Sequence, residues 1–184
     1  MTSGNLKSER LQVMAAKPRD LLRYIALLED VAAWLEERGI AQWRVGSFRE
    51  SVDYFAESIK SQEVMLAFLR DELVGTLRVL LREPVVWPEI VEDDAVYIYT
   101  LAVARRWADQ QFGRRLLEWA ANYAVSMGRS YVRLDCVVDN QFLRRYYQQA
   151  GFVDCGEIDA RYPEPIGTLR LQRYQQRVHV RVEK

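Results

Sequence analysis

Three stretches of the 184-residue chain carry residue types at spacings that suit chemistry. In residues 97–119 an apolar run ending Leu101-Ala102-Val103 passes through a polar turn into a helix entered near Gln110-Gln111-Phe112-Gly113-Arg114-Arg115. The first turn of a helix exposes unpaired N–H groups at a positive dipole end, so it can hold a phosphate or pyrophosphate. Gly113 would let a bulky anion approach the backbone, and Arg105, Arg106, Arg114 and Arg115 add charge. A plain βα turn with a solvated basic edge fits the same spacing, because one glycine is a weak phosphate signal. The second stretch is Asp139-Asn140 followed by Leu143, Tyr146, Tyr147 and Gly151-Phe152. Asn140 suits a helix N-cap, and Tyr147 shares a face with Leu143 and Ala150, as a core ring or an inward-facing acid. In the third, Glu89, Glu92, Asp93 and Asp94 crowd a short loop. They could steer a cation, or be no more than a solvated rim.

The elements that must position these residues follow from periodicity. Residues 11–15 can form a first strand. Pro18 then opens a helix whose apolar residues Leu21, Ile25, Leu28, Ala32 and Leu35 recur at helical spacing up to a stop at Gly39. Ser47-Phe48-Arg49-Glu50 reads as a capping box for a second helix running to about Lys60. Residues 63–70 and 73–82 flank Asp71-Glu72 as a β-hairpin, and 83–94 form a loop with Pro84, Trp87 and Pro88. Beyond it come a strand over 95–103, a helix over 110–127 and a strand over 131–138. A short helix over 140–150 and strands over 152–158 and 168–176 complete the pattern. Such alternation implies a mixed α/β sheet covered by helices. Without repeats or a low-complexity linker, residues 10–184 read as one domain after a flexible tail over 1–9.

Composition limits the partners. Twenty-six Lys+Arg balance 26 Asp+Glu, which argues against a dedicated nucleic-acid or membrane-surface binder. The balance hides a split: residues 1–95 carry a net of −5 and residues 96–184 a net of +5. Two cysteines, Cys136 and Cys155, and one histidine, His179, give no metal-ligand spacing, so no metal is expected. No apolar run reaches the roughly 18 residues of a membrane span, and no secretory signal is legible at Met1–Glu9, so a cytoplasmic setting is expected.

Taken together, the strand ending Leu101-Ala102-Val103, the Gly113 helix, the strand over 131–138 and the order Asn140-x6-Tyr147-x3-Gly151-Phe152 resemble the GNAT N-acetyltransferase superfamily. The resemblance covers about residues 10–175 in element order and 96–153 in motif detail. The family's acetyl-CoA turn, Arg/Gln-x-x-Gly-x-Gly/Ala, falls here on Ala108, Gln111 and Gly113, so only the last glycine is kept. Gln111 must then take a conformation that glycine adopts easily. The resemblance implies an α/β (α+β) fold: a mixed, mostly antiparallel sheet with a splayed parallel central pair, flanked by about four helices. It implies acetyl-CoA as co-substrate, with pantetheine along Leu101, Ala102 and Val103 and pyrophosphate on the amides of Gln110, Gln111, Phe112, Gly113 and Arg114. Asn140 would face the pantetheine arm and Tyr147 the thioester sulfur.

The implied reaction is direct attack on the thioester by a primary amine of a small molecule or peptide. Removing a proton from such an amine costs roughly 4–5 kcal/mol at neutral pH. Tyr147 would need a lowered pKa to protonate the thiolate, helped by Arg144 one turn earlier, or would act as a hydrogen-bond donor. Many relatives carry a glutamate or histidine on the strand equivalent to 97–103, where this chain has none; Asp94 or Asp93 could act through water instead, with Tyr99 in the relay, or these acids could be a solvated loop. The acidic loop and the aromatic residues Trp34, Trp43, Phe48 and Tyr54 would border the acceptor, and His179 has little claim to catalysis. Many relatives are homodimers, although no interface signature is legible here. The competing reading is a non-catalytic acyl-CoA-binding regulatory module, favoured by the degenerate glycine turn and by the missing strand carboxylate.

Overall fold

A computed structural model describes residues 10–164 and 166–178; the expected tail and His179 lie outside the described residues. One seven-stranded sheet runs through it. Strand β1 (Gln12–Ala15) leads into α1 (Leu21–Glu37), then α2 (Ser47–Glu50) and α3 (Val52–Lys60). The hairpin β2 (Val64–Leu69) and β3 (Glu72–Leu80) follows, then β4 (Ala95–Val103), α4 (Phe112–Ser126) and β5 (Tyr131–Val137). Helix α5 (Gln141–Gln149) and strands β6 (Val153–Arg161) and β7 (Thr168–Arg177) complete the order. The sheet runs β1-β2-β3-β4-β5-β7-β6, antiparallel except for β4 beside β5. This is the mixed sheet with a parallel central pair that the resemblance implied, flanked by five α-helices.

Alternation along the strands divides the core. Met65, Ala67 and Leu69 of β2 face a cluster with Leu116 and Ala120 of α4, while Val64 and Leu66 face Leu28 and Ala32 of α1. Arg70 and Asp71 both take positive φ (48° and 68°) in a two-residue hairpin turn, the geometry that matches strand twist. The loop over 83–94 is less solvated than its composition suggests. Val86 and Trp87 are buried in a third cluster with Tyr97 and Leu171.

The capping box at Ser47 does not form. Gly46, at φ 89°, precedes α2, and Ser51 separates α2 from α3. The orphan amides are instead taken by Glu29 of α1, a buried carboxylate that accepts from Gly46 N at 2.7 Å and from Phe48 N and Arg49 N at 3.0 Å each. Glu50 turns away to pair with Arg44. A local motif lost to a long-range carboxylate because three charge-assisted bonds in a buried setting outweigh one exposed reciprocal pair. No helix among the described residues is long and apolar enough to cross a membrane.

Candidate active site

The site forms where β4 and β5 part. Their pairing ends at Ile98 opposite Leu134. Beyond it the free edge of β4, Tyr99 to Val103, faces a cavity of about 710 Å³. Thr100 causes the departure. Its φ is 44°, a region that a β-branched residue enters only under constraint, and the register against β3 shifts between Thr76 and Arg78. The fully buried Tyr24 of α1 holds it there, its hydroxyl 3.1 Å from Thr100 Oγ1. Burial pushes the Tyr24 hydroxyl up to about 12, so it stays protonated across the ordinary pH range. Opposite, Gly75 lets β3 approach closely: a Cβ there would stand 2.7 Å from the Ala102 carbonyl oxygen.

The turn between β4 and α4 is left-handed at Gln111, where the family's glycine is missing. Asp109 and Gln111 both have φ 62°, and Gln111 is the N-cap of α4, in the left-handed conformation expected of it. Of the residues expected at the pyrophosphate, Gln111, Phe112 and Gly113 line the cavity, whereas Gln110 and Arg114 do not. The clearance at Gly113 is used differently from expectation. A Cβ there would lie 2.6 Å from the Tyr146 hydroxyl, so the glycine admits a side chain of α5. The surrounding arginines are mostly engaged elsewhere: Arg114 with Glu118 and Arg106 with Glu72. Arg105 lies over the Trp34 ring at 3.5 Å from its centroid, beside Arg38 at 4.1 Å.

The facing wall comes from β5 and α5. Asn140 caps α5, accepting from Leu143 N at 3.0 Å, and donates its amide to Gln42 Oε1 at 3.0 Å. Gln42, on the segment between α1 and α2, therefore ties that segment to the cavity's far wall, a link no sequence signal announced. Tyr147 is buried among Phe152, Tyr174 and Tyr146 and lines the cavity beside Leu101, Ala102 and Val103. Burial holds its hydroxyl well above the usual tyrosine value, opposite to the lowering that protonation of a thiolate would need. Arg144 does not assist it, pointing instead to the Val138 carbonyl at 3.4 Å. Trp34 and Trp43 border the cavity as expected, whereas Phe48 belongs to the core and Tyr54 is exposed.

The acids are arranged differently from expectation. Asp94 stands at the start of β4, the opposite end from the fork, and is not part of the cavity wall. Arg133 grips it with two bonds, of 2.8 and 3.3 Å. Asp93 pairs with Arg82, and Glu89 with Arg173. These three carboxylates are consumed by arginines, so the loop is not the free acidic rim that its sequence suggests. Tyr99 does reach the cavity wall, its hydroxyl buried without a hydrogen-bond partner and its pKa driven up by burial, then by Asp135. Asp135 is the carboxylate that sequence reasoning passed over. It follows Leu134, the last residue of β5 paired with β4, lines the cavity, and its carboxylate makes no hydrogen bond or ion pair among the described residues. Burial, reinforced by Glu83, pushes it up to about 7. Its only signal was an acid inside the apolar alternation Val132, Leu134, Cys136.

The profile of the acetyltransferase (GNAT) family matches residues 26–152. An uncharacterized N-acetyltransferase of Bacillus subtilis, YesJ, is 31% identical over 131 residues, covering 68% of this chain and 72% of that protein. Among solved structures, a GNAT-family acetyltransferase of Listeria monocytogenes superposes with a TM-score of 0.76 over 97% of this chain and 99% of its own, at 24% identity. RimL, a ribosomal alpha-N-protein acetyltransferase solved with coenzyme A, gives 0.68 over 94% and 96%, at 18% identity. The chain belongs to the GNAT acetyltransferase family and is an acyl-CoA-dependent N-acetyltransferase that moves an acetyl group to an amine. The reading as a non-catalytic module is not favoured. Both the family profile and the N-acetyltransferase relative point to the enzyme instead.

Proposed function

We propose that the acceptor is a primary amine of a small molecule or a peptide terminus, attacking at the fork of the sheet. The observation that carries this reading is the unpaired edge of β4. Leu101, Ala102 and Val103 offer backbone groups to the cavity in strand geometry, so an amide-bearing pantetheine can pair there as an added strand would. The amides of Gln111, Phe112 and Gly113 open α4 at its positive end, suited to a pyrophosphate. Acetyl-CoA supplies an activated thioester; the protein's own groups supply orientation and proton handling. Asn140 exchanges its Gln42 partner for the pantetheine arm while its carbonyl keeps capping α5.

Tyr147 serves as a hydrogen-bond donor to the departing sulfur. Its raised pKa makes full proton transfer costly but guarantees that the hydrogen is present. Asp94 and its water relay drop out of the reading, since Arg133 holds Asp94 beyond the far end of β4. An amine panel read by mass spectrometry for a 42-Da gain (about one acetyl group) tests the reading, with calorimetry for coenzyme A binding alongside. The expected result is coenzyme A binding together with acetylation of at least one primary amine. Acetylation confined to hydroxyl or thiol acceptors would overturn it.

A further inference from the structure

We propose that Asp135 takes the proton from the acceptor amine, and that the loop over 83–94 keeps it free to do so by drawing Arg133 and Arg173 away from it. The proposal rests on the reading that amine and thioester meet at the fork. Asp135 and Tyr99 are the first residues past the last β4–β5 pair, and both line the cavity that Tyr147 enters from the opposite wall. A base placed there opens on the same cavity as the proposed sulfur site.

What makes the position unusual is the fate of its neighbours. Arg173 is the cross-strand partner of Asp135, so both side chains leave the same face of the sheet. Arg133, two residues earlier on β5, shares that face as well. Either guanidinium could neutralise Asp135, yet neither does. Arg173 binds Glu89 Oε1 at 2.6 Å and the carbonyls of Val86 and Cys155, and lies over Trp87. Arg133 binds Asp94 and the Tyr97 hydroxyl. Both carboxylates and the indole belong to the loop over 83–94. The acidic loop thus acts on the site by capturing two cations, leaving one cavity carboxylate unpaired.

Among the described residues, the remaining groups that act electrostatically with Asp135 include no cation. Glu83 at the start of the loop adds a like charge; Tyr99 of β4, Tyr162 of the β6–β7 turn, Tyr147 of α5 and Cys136 of its own strand are neutral when protonated. A carboxyl near 7 instead of 3.8 narrows its mismatch with an amine by about a thousandfold while staying largely ionised at slightly alkaline pH. In the step, the ammonium gives one proton to Asp135 and its lone pair forms the nitrogen–carbon bond. The carbon–sulfur bond breaks, the nitrogen's second proton ends on sulfur, and Asp135 returns its proton to water.

The test is the titration of Asp135 in the full chain, followed by carboxyl carbon NMR and assigned with Asp135→Asn. The expected midpoint lies near 7, falling by about one pH unit or more in Asp94→Asn and in Glu89→Gln, as a released arginine pairs with Asp135. A wild-type midpoint in the ordinary carboxylate range, or one that neither variant moves, overturns the proposal. In parallel, Asp135→Asn should bind coenzyme A with unchanged Kd and lose at least about a hundredfold in kcat/KM, measured with spermidine and a serine-terminated peptide as probes. Asp135→Glu should restore part of it. Undiminished turnover in Asp135→Asn would also overturn the proposal. Failure of the wild type to bind coenzyme A would instead strike the reading of the cavity, and the titration would still decide the proton-accepting role.

Discussion

Tyr147 and Asp135 show opposite degrees of legibility. Tyr147 is announced by a fixed spacing to Asn140 and to Gly151-Phe152, and it lies on the cavity wall. Its proton behaviour was not readable, because a pKa depends on what burial removes and on neighbours from β5 and β7. Tyr147→Phe should lower kcat by about ten- to a hundredfold and leave the Kd for coenzyme A within about threefold, measured by steady-state kinetics and calorimetry. Unchanged turnover would remove it from the reaction. Asp135 gives a stability prediction with a definite sign. Its folded pKa is raised above the unfolded value of 3.8, so its contribution to stability is fully present below about pH 4 and lost as pH rises through about 7. Asp135→Asn escapes that loss. Urea unfolding should find the variant little different at pH 4 and more stable at pH 8, by on the order of 2–4 kcal/mol. Equal stability differences at the two pH values would mean that the carboxylate is not desolvated in the folded chain.

At the scale of elements, periodicity located nearly every strand and helix, and what it missed was set by contacts between distant segments. The capping box at Ser47 failed because Glu29 reaches the same amides from another helix. Glu29→Gln keeps one acceptor but loses the charge, and should cost about 2–3 kcal/mol in chemical denaturation, with the α1–α2 segment exchanging amide hydrogen fastest. The Thr100 bulge was hidden for a related reason: the fork comes from Tyr24 and β3 constraining a residue whose own preference is negative φ. The turn before α4, in contrast, was legible even in its departure, since a lost glycine predicts a left-handed Gln111. Gln111→Gly should raise stability by about 0.5–1 kcal/mol and keep coenzyme A binding within about twofold, because backbone amides are the proposed ligands. A large loss of affinity would show that the glutamine side chain itself takes part.

For the molecule as a whole, the opposite charge of the two halves has a structural counterpart. Asp94 and Glu89 of the first half close on Arg133 of β5 and Arg173 of β7 in the second, so charges of the two halves meet. Composition could register the excess on each side but not its destination, because pairing depends on strand order. The open edge of β4 has one further consequence. Unpaired strand edges are templates for association, and proteins normally place them at a sheet's border and shield them there. Here the exposed edge lies in the interior of the sheet, between β4 and β5, where the donor substrate is proposed to pair. On that proposal, the enzyme starved of acetyl-CoA carries an adhesive seam, which the bound donor seals. Its shelf life, and not only its rate, should therefore follow the supply of activated acetyl groups. Heating with coenzyme A at about 100 times its Kd should raise the unfolding free energy by about 2.7 kcal/mol and delay light scattering from aggregates. Aggregation that starts equally early with saturating coenzyme A would show that some other surface starts it.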